Sequence, residues 1–488
     1  MTPFENITIC APATIPGTGA IAIIRVSGPN ALSIGDKIIR LNKGTISESK
    51  GYSIRYGVIS KNSNNGIESN NDEVLDDVLV SIFRNPHSYT GEDSLEISCH
   101  SSKYIVSEIL RKLIQAGCQM AKPGEFTQRA FLNGKMDLAQ AEAVADVISC
   151  TSEAAHRMAF KQLKGGFSEE LAKMRAELLE LVSLMELELD FSEEEVEFAD
   201  RTRLNNLLIK IIEHISRLIE SFKLGNAIKN GVPVAIVGST NTGKSTLLNV
   251  LLGEERAIVS DIHGTTRDTI EESINLDGIL FRFIDTAGLR ESSDYVEKIG
   301  IERSYQKISQ ASVILALLDV SREESEIQEQ METIFSDIVK KIDAQSQKLF
   351  VLLNKIDKLN KVDEPETSES ESIIATYSKS ISNLINSPVI IPLSAREGTG
   401  IEELKNALAD SQKGLIESND ETLISNMRHY EALSNAKTAL ERVLCGNAPT
   451  DLLAQDLREA LYHLGSIVGE ISTDEVLGNI FKNFCIGK

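Results

Sequence analysis

The stretch "VPVAIVGSTNTGKSTLLNVLLG", residues 232–253, decides how the chain is read. Its apolar run "VPVAIV" has the character of a strand, "GSTNTGKST" is a loop of small residues beginning at Gly238, and "LLNVLLG" continues as a helix. Gly238, Gly243, Lys244 and Ser245 fit a phosphate-binding loop. Small residues let backbone N–H groups surround the phosphates, the lysine reaches the outer two, and the hydroxyl ligates Mg²⁺. Thr242 and Thr246 belong to the same contacting segment. Three more segments follow in order. "GTTRD" at 264–268 begins with Gly264 and Thr265 and offers Thr266 as a second Mg²⁺ ligand. "DTAG" at 285–288 offers Asp285 and the Gly288 amide near the γ-phosphate, with Thr286 and Ala287 between them. "NKID" at 354–357 follows a strand. Asp357 can accept two hydrogen bonds from the guanine N1 and N2 donors, which adenine lacks, while Asn354 bonds the other edge and Lys355 and Ile356 complete the segment. An unmet carboxylate is costly, so the expected base is guanine. "SAREG" at 394–398 would close over that base with Ser394, Ala395 and Arg396.

Outward from this loop, the strand-like runs "VPVAIVG", "LFRFIDT", "SVILALLDV", "KLFVLLNK" and "SPVIIPLSA" alternate with helical segments. That pattern predicts a mainly parallel α/β sheet over residues 231–411. "KVDEPETSESES" reads as a solvated insertion within it. Residues 1–120 alternate short β-type runs, "AIAIIRVSG" and "DDVLVSIFR", with the polar loop "SKNSNNGIESNND" and one helix near "KYIVSEILRKLIQAG", the pattern of an α+β domain. Residues 121–230 are helical. Ser168 suits an N-cap, Leu171, Met174, Leu178, Val182, Met185 and Leu189 recur at helical spacing, and Ser192 with Glu195 forms a second capping box. Residues 412–488 are helical again, so the expected fold is multidomain α/β, with the P-loop block inserted into a helical domain.

At 488 residues the chain has room for roughly three domains. It contains 42% hydrophobic and 25% charged residues. It carries no apolar run of about eighteen residues that would cross a bilayer. "MTPFENITICAPATIPGTGA" lacks the basic segment and apolar core of a secretory signal, and six scattered cysteines form no disulfide framework, so a cytoplasmic location is expected. A net charge of −22 disfavours nonspecific binding to phosphate backbones. An RNA partner would have to be met at a local basic patch or through another protein.

The residue after "DTAG" is Leu289, which cannot orient an attacking water as a glutamine does there in many GTPases. Asn241, inside the phosphate loop, either ligates a monovalent cation through its amide oxygen or stabilises the loop. In the first case the segment "SDIHG", comprising Ser260, Asp261, Ile262, His263 and Gly264, could add backbone carbonyls, and K⁺ would bring the positive charge that an arginine finger brings elsewhere.

Together with "GSTNTGKST", "GTTRD" and "DTAGLR", the stretches "PGTGAIAIIRVSG" at 16–28, "PGEFTQRAFLNGKMDLAQAEAV" at 123–144 and "FCIGK" at 484–488 resemble the TrmE-type family of tRNA modification GTPases. The motifs span nearly the whole chain. The resemblance implies a folate-binding N-terminal domain, a helical domain, an inserted G domain and homodimerisation through the N-terminal domains. It also implies action with an FAD-dependent flavoprotein, MnmG, in a hetero-oligomer that meets tRNA mainly as a complex. The implied reaction is K⁺-stimulated GTP hydrolysis that drives G-domain rearrangement, while a C5 (carboxymethyl)aminomethyl-type group is installed on the wobble uridine of certain tRNAs. The alternative from another class is a ribosome-assembly GTPase acting as an RNA chaperone, which would normally carry a basic RNA-binding module. The flanks offer no basic block.

By the resemblance, K⁺ contacts fall on Asn241, Ser260, Ile262 and Thr265, and Mg²⁺ contacts on Ser245 and Thr266. The water-positioning residue falls on Glu297 in "SDYVEKIG", acting with Lys244 and Asn241 as the catalytic set. A tetrahydrofolate derivative, of 5-formyl or methylene type, would meet Arg25, Glu96, Lys135 and Lys488. Its pterin donors suit a carboxylate, and its carbonyl and glutamate oxygens suit cations. His263 stands where a small residue is expected, and Ser239 and Thr240 where the family often has arginine and proline. The tail "FKNFCIGK" is either a frayed end or, following the family pattern, is packed back through Ile480, Phe481 and Phe484 so that Cys485 and Lys488 enter the folate cavity. Cys485 itself is open as nucleophile, redox group or packing element.

Overall fold

A computed structural model of the chain describes residues 7–17, 19–61, 73–190, 201–239, 241–254, 272–284, 311–323, 325–328, 331, 347–359, 374–379, 381, 388–413, 422–445, 450–470, 474–482, 484 and 487. The chain divides into two compact units, residues 1–148 with 161–211 and 435–488, and residues 149–160 with 212–434.

The first unit opens with β1 (Ile9–Pro12), β2 (Ile21–Ser27), α1 (Ala31–Ile38), β3 (Arg40–Leu41), β4 (Ser53–Ser60), β5 (Val74–Phe83), β6 (Ser94–His100), α2 (Lys103–Gln115) and β7 (Gln119–Met120). These strands form one sheet in the order β3-β4-β5-β6-β2-β1-β7, antiparallel throughout except that β1 and β7 run parallel. Period-2 alternation sets the faces. Ala22, Ile24 and Val26 of β2 enter a core shared with Leu32 and Ile34 of α1 and Ile109 and Leu113 of α2. Arg25 therefore falls on the opposite face, and register pairs it with Glu96 of β6. A one-residue slip would bury the guanidinium among aliphatic side chains, so the apolar pattern fixes the site's register as well as the core.

Then follow α3 (Glu125–Leu132), α4 (Leu138–Ser149), α5 (Glu153–Leu163), α6 (Gly166–Asp190) and α7 (Arg201–Asn230). Arg129 of α3 is 1% exposed and fastens this helix to the sheet domain: Nη1 donates to the Ile7 carbonyl at 2.8 Å and to Glu92 at 3.2 Å, and Nη2 to Glu125 at 2.9 Å. A buried guanidinium is tolerated because its charge is paired. In α6, Leu171, Met174, Leu178, Val182 and Met185 are buried, as their spacing predicts. The expected N-cap at Ser168 needs correction. Glu169 N already donates to the Gly165 carbonyl at 2.9 Å, so helical bonding begins three residues earlier and Ser168 lies inside the first turn. The capping box at Ser192 and Glu195 and the insertion "KVDEPETSESES" lie outside the described residues.

The second unit contains β8 (Val232–Gly238), α8 (Lys244–Glu254), β9 (Glu272–Leu276), β10 (Ile279–Phe283), β11 (Val313–Asp319), β12 (Lys348–Asn354), β13 (Val389–Leu393) and α9 (Ile401–Ser411). Its sheet order is β13-β12-β11-β8-β10-β9, parallel apart from β9, which makes an antiparallel hairpin with β10. All seven residues of β11 are buried, which explains its unbroken apolar run: both faces of a central parallel strand are covered. One covering layer includes Leu247 and Leu251 of α8 with Leu404 and Leu408 of α9, and the other includes Ile327, Met331 and Ile381.

The chain ends with α10 (Met427–Leu444), α11 (Thr450–Val468) and α12 (Asp474–Phe481). In the first unit α11 packs against α6, and α12 against α3. Among the described residues no helix is long and apolar enough to cross a membrane.

Candidate functional site

Strand β8 lies between β10 and β11, so the loop at 239–243 leaves the carboxyl edge of the sheet where strand order changes direction. Ligands of open α/β sheets bind at such a point. Thr242 is fully buried and its hydroxyl donates to the Ser239 carbonyl at 2.9 Å, folding the loop on itself. Gly243 has φ +100, and a Cβ there would stand 2.3 Å from Asn354 Nδ2, so glycine is required on both backbone and steric grounds. Lys244 Nζ donates to the Gly238 and Ser239 carbonyls at 2.7 Å each, which holds the ammonium within the loop. Ser245 and Thr246 are exposed in the first turn of α8. Helix N–H groups, an ammonium and a hydroxyl at one helix start suit a phosphate with Mg²⁺. Asn241 is exposed at φ +62, and its amide oxygen is a hard donor of the kind K⁺ accepts.

Residues of the "NKID" segment meet this loop directly. Asn354 is 2% exposed; its Nδ2 donates to the Thr242 carbonyl at 2.7 Å and its Oδ1 accepts from Ala395 N at 3.0 Å. One side chain thus joins the phosphate loop to the segment at 394–396. Ser394 Oγ donates to Asp357 Oδ1 at 2.6 Å, while Glu397 N donates to Ser394 Oγ at 3.3 Å. Asp357 sits in a 3-10 turn, Ile356–Lys358, and Arg396 is exposed. Lys355 Nζ spans from the Asn241 carbonyl at 2.8 Å to Asp319 Oδ2 at 2.6 Å. Asp319 was not singled out from sequence, although an acid at the carboxyl end of a parallel strand in such a sheet is a usable signal. The residues 260–266, 285–288 and Glu297 lie outside the described residues, and so do the remaining parts of the expected Mg²⁺ and K⁺ sets.

A second cluster occupies the outward face of the first unit's sheet. Arg25 donates from Nε at 3.1 Å and Nη2 at 2.8 Å to Glu96 Oε1, and from Nη1 at 3.2 Å to the Gly487 carbonyl. Its guanidinium carbon lies 5.2 Å from the Tyr89 ring centre and 5.6 Å from that of Phe126, two contacts that sequence reasoning missed. Burial pushes the Tyr89 hydroxyl above its ordinary pKa, against a lowering contribution from its hydrogen bond with Thr127. Lys135 is held separately, donating to the Pro86 carbonyl at 3.0 Å. Phe481 joins Leu138, Ala141 and Leu477 in a buried cluster against which Ile480 and Phe484 pack. Gly487, at φ +97, is buried, and a Cβ on it would lie 2.2 Å from the Pro12 carbonyl oxygen. The tail is therefore seated at Phe481, Phe484 and Gly487, while Cys485 and Lys488 lie outside the described residues.

A glycine-rich loop between parallel strand and helix, joined through Asn354 to the segment at 394–396 that bonds Asp357, is the arrangement of a P-loop nucleotide-binding protein. A profile of the MnmE helical domain matches residues 138–485, and one of the GTP-binding protein TrmE N-terminus matches residues 8–135. The chain is 50% identical over 486 residues to the tRNA modification GTPase MnmE of Bacteroides thetaiotaomicron, covering 99% of each chain. It is 49% identical over 487 residues to that of Parabacteroides distasonis, covering 99% of this chain and 100% of the relative. A GTP-binding protein from Sulfolobus solfataricus in complex with GDP aligns over 61% of this chain and 79% of its own, at 18% identity and a TM-score of 0.28, a likeness too slight to argue from. The chain belongs to the MnmE (TrmE) family of tRNA modification GTPases.

Proposed function

We propose that this chain is a K⁺-stimulated GTP hydrolase of the cytoplasm that acts, as a homodimer with the flavoprotein MnmG, in building the C5 (carboxymethyl)aminomethyl-type group on the wobble uridine of certain tRNAs. The observation that carries the GTPase part is the bond from Asn354 Nδ2 to the Thr242 carbonyl, which fastens the base-reading segment to the phosphate loop. Lys244 would exchange the Gly238 and Ser239 carbonyls for phosphate oxygens. Asp357 would exchange the Ser394 hydroxyl for the two guanine donors. Mg²⁺ and K⁺, when bound, supply positive charge where negative charge develops on the phosphates. Ser245 with Thr266 would hold the first, and Asn241 with Ser260, Ile262 and Thr265 the second. Glu297 would orient the attacking water that Leu289 cannot.

Folate would lie at Arg25, Glu96, Lys135 and Lys488. The fit is supported by a guanidinium backed by two aromatic rings and paired with a carboxylate 27% exposed. The same sheet face carries Ile54, Tyr56 and Leu79, each about half exposed or more, which supports a second copy of the chain as its cover. The proposed domains are 1–120, 121–230, 231–411 and 412–488. Two assays test the reading: GTP hydrolysis by the purified chain in K⁺ and in Na⁺, and the C5 group on wobble uridine in tRNA from cells lacking the protein. Hydrolysis of GTP with unchanged tRNA would remove tRNA modification from the reading and favour a role in ribosome assembly.

A further inference from the structure

Asp319 stands at the carboxyl end of β11, in register with Asn354 of β12, and only 2% of its surface is exposed. Each of its oxygens has its own partner. Oδ1 accepts from Ser321 N at 3.1 Å and Ser321 Oγ at 2.7 Å; Oδ2 accepts from Lys355 Nζ at 2.6 Å, with Arg322 Nε at 3.4 Å. The carboxylate is thus oriented by its own turn before it meets the lysine. Lys355 is a residue with a β-carbon held at φ +70, and it reaches across to the carbonyl of Asn241, itself held at φ +62. Left-handed backbone at a lysine persists only where the surroundings over-determine it, whereas asparagine adopts it readily. One ammonium therefore connects two left-handed positions, one in the phosphate loop and one in the base-reading segment, and a buried carboxylate anchors it.

We propose that Asp319 is a positioning residue of the nucleotide site: by anchoring Lys355 against the Asn241 carbonyl it locks the phosphate loop to the base-reading segment and slows release of the bound guanine nucleotide. The inference rests on the guanine-nucleotide reading of this site and assigns it a residue outside the four sequence motifs. Burial would push the Asp319 carboxyl up, but hydrogen bonds from Lys355 and Ser321 outweigh it, so the group is held below its ordinary value and stays charged at neutral pH. Asn354 bridges the same two segments through neutral hydrogen bonds, so the ion pair is a second and separable fastening.

The test is the release rate of a fluorescent GDP from the full chain, followed by stopped flow. Asp319→Asn keeps the shape and an acceptor for Ser321 while removing the charge, which guards against misfolding; Lys355→Ala removes the other partner. Each is expected to speed release about tenfold, and the double variant to be no faster than the faster single, because groups acting as a unit are non-additive. Preference for GDP over ADP should be unchanged in Asp319→Asn, since Asp357 is intact. Release at the wild-type rate in Asp319→Asn, or effects that multiply in the double variant, would overturn the proposal. A wild-type chain that holds no guanine nucleotide would overturn the reading of the site along with it.

Discussion

The nucleotide site and the Arg25 cluster are built from similar materials in opposite ways. Around the phosphate loop, contiguous runs supply most of the residues: Lys244 donates to the Gly238 and Ser239 carbonyls within one loop, and Asn354, Lys355 and Asp357 come from one tetrapeptide. In the sheet domain, Arg25 meets Glu96 from 71 positions away and Gly487 from 462 positions away. The phosphate loop itself is set by local backbone shape, and its joints to Asn354 and Lys355, 112 and 114 positions away, by the pairing of β8, β11 and β12 in one sheet. The second exists only after strand register and the docking of α12 have been settled. A defect in packing should therefore reach the second before it reaches the turn of the phosphate loop itself.

Asp357→Asn gives the largest expected effect and breaks the local side of the comparison. It removes the carboxylate that guanine N1–H and N2–H would meet, and it should weaken GTP binding by about two orders of magnitude, the scale for leaving buried polar partners unpaired. Displacement of a labelled guanine nucleotide by GTP and by ATP measures it, with ATP expected not to compete in the wild type. Next comes Gly487→Ala. Its Cβ would stand against the Pro12 oxygen in a left-handed backbone, so the tail should lift from Arg25. Folate affinity, read by titration, should fall about tenfold through loss of charge-assisted contacts, with GTP binding unchanged.

Asn241→Ala sharpens the local side further. GTP hydrolysis should be faster in K⁺ than in Na⁺ for the wild type, and the variant should lose most of that difference while still binding GTP. The smallest expected effect lies at the end of β6, away from both sites. His100 Nδ1 lies 2.6 Å from Asp76 Oδ1, and that hydrogen bond raises the imidazole above its ordinary value of 6.5. A raised histidine pKa stabilises the fold fully below about 6.5 and loses that contribution as pH rises through the folded-state value. Asp76→Asn should return the His100 midpoint toward 6.5 by proton NMR and leave both sites unaltered.

Legibility in the sequence follows the same division. The order of small residues, lysine and hydroxyl at 238–245 made the phosphate loop readable because each role depends on residue type at fixed spacing along one turn. The apolar run of β11 announced a buried parallel strand. Asp319 escaped notice because its importance comes from lying beside Asn354 across a sheet, which no linear spacing reveals. Arg25 and Glu96 are ordinary charges in isolation; only the family likeness raised them, and Tyr89 and Phe126 had no signal of their own. The start of α6 was misplaced for a local reason, since Ser168 fits a cap but the Gly165 carbonyl accepts a helical bond first.

The claim that the two regions work from separate parts of the chain is tested most directly by removing residues 485–488 and measuring folate binding and K⁺-stimulated GTP hydrolysis on the same preparation. Every described hydrogen bond that builds the proposed nucleotide site lies between residues 238 and 397, whereas the Gly487 carbonyl bonded to Arg25 is lost. The expected result is hydrolysis at the wild-type rate, with folate affinity lowered by about one to two orders of magnitude. Folate bound as tightly as by the intact chain, or hydrolysis lost in step with folate, would contradict the account.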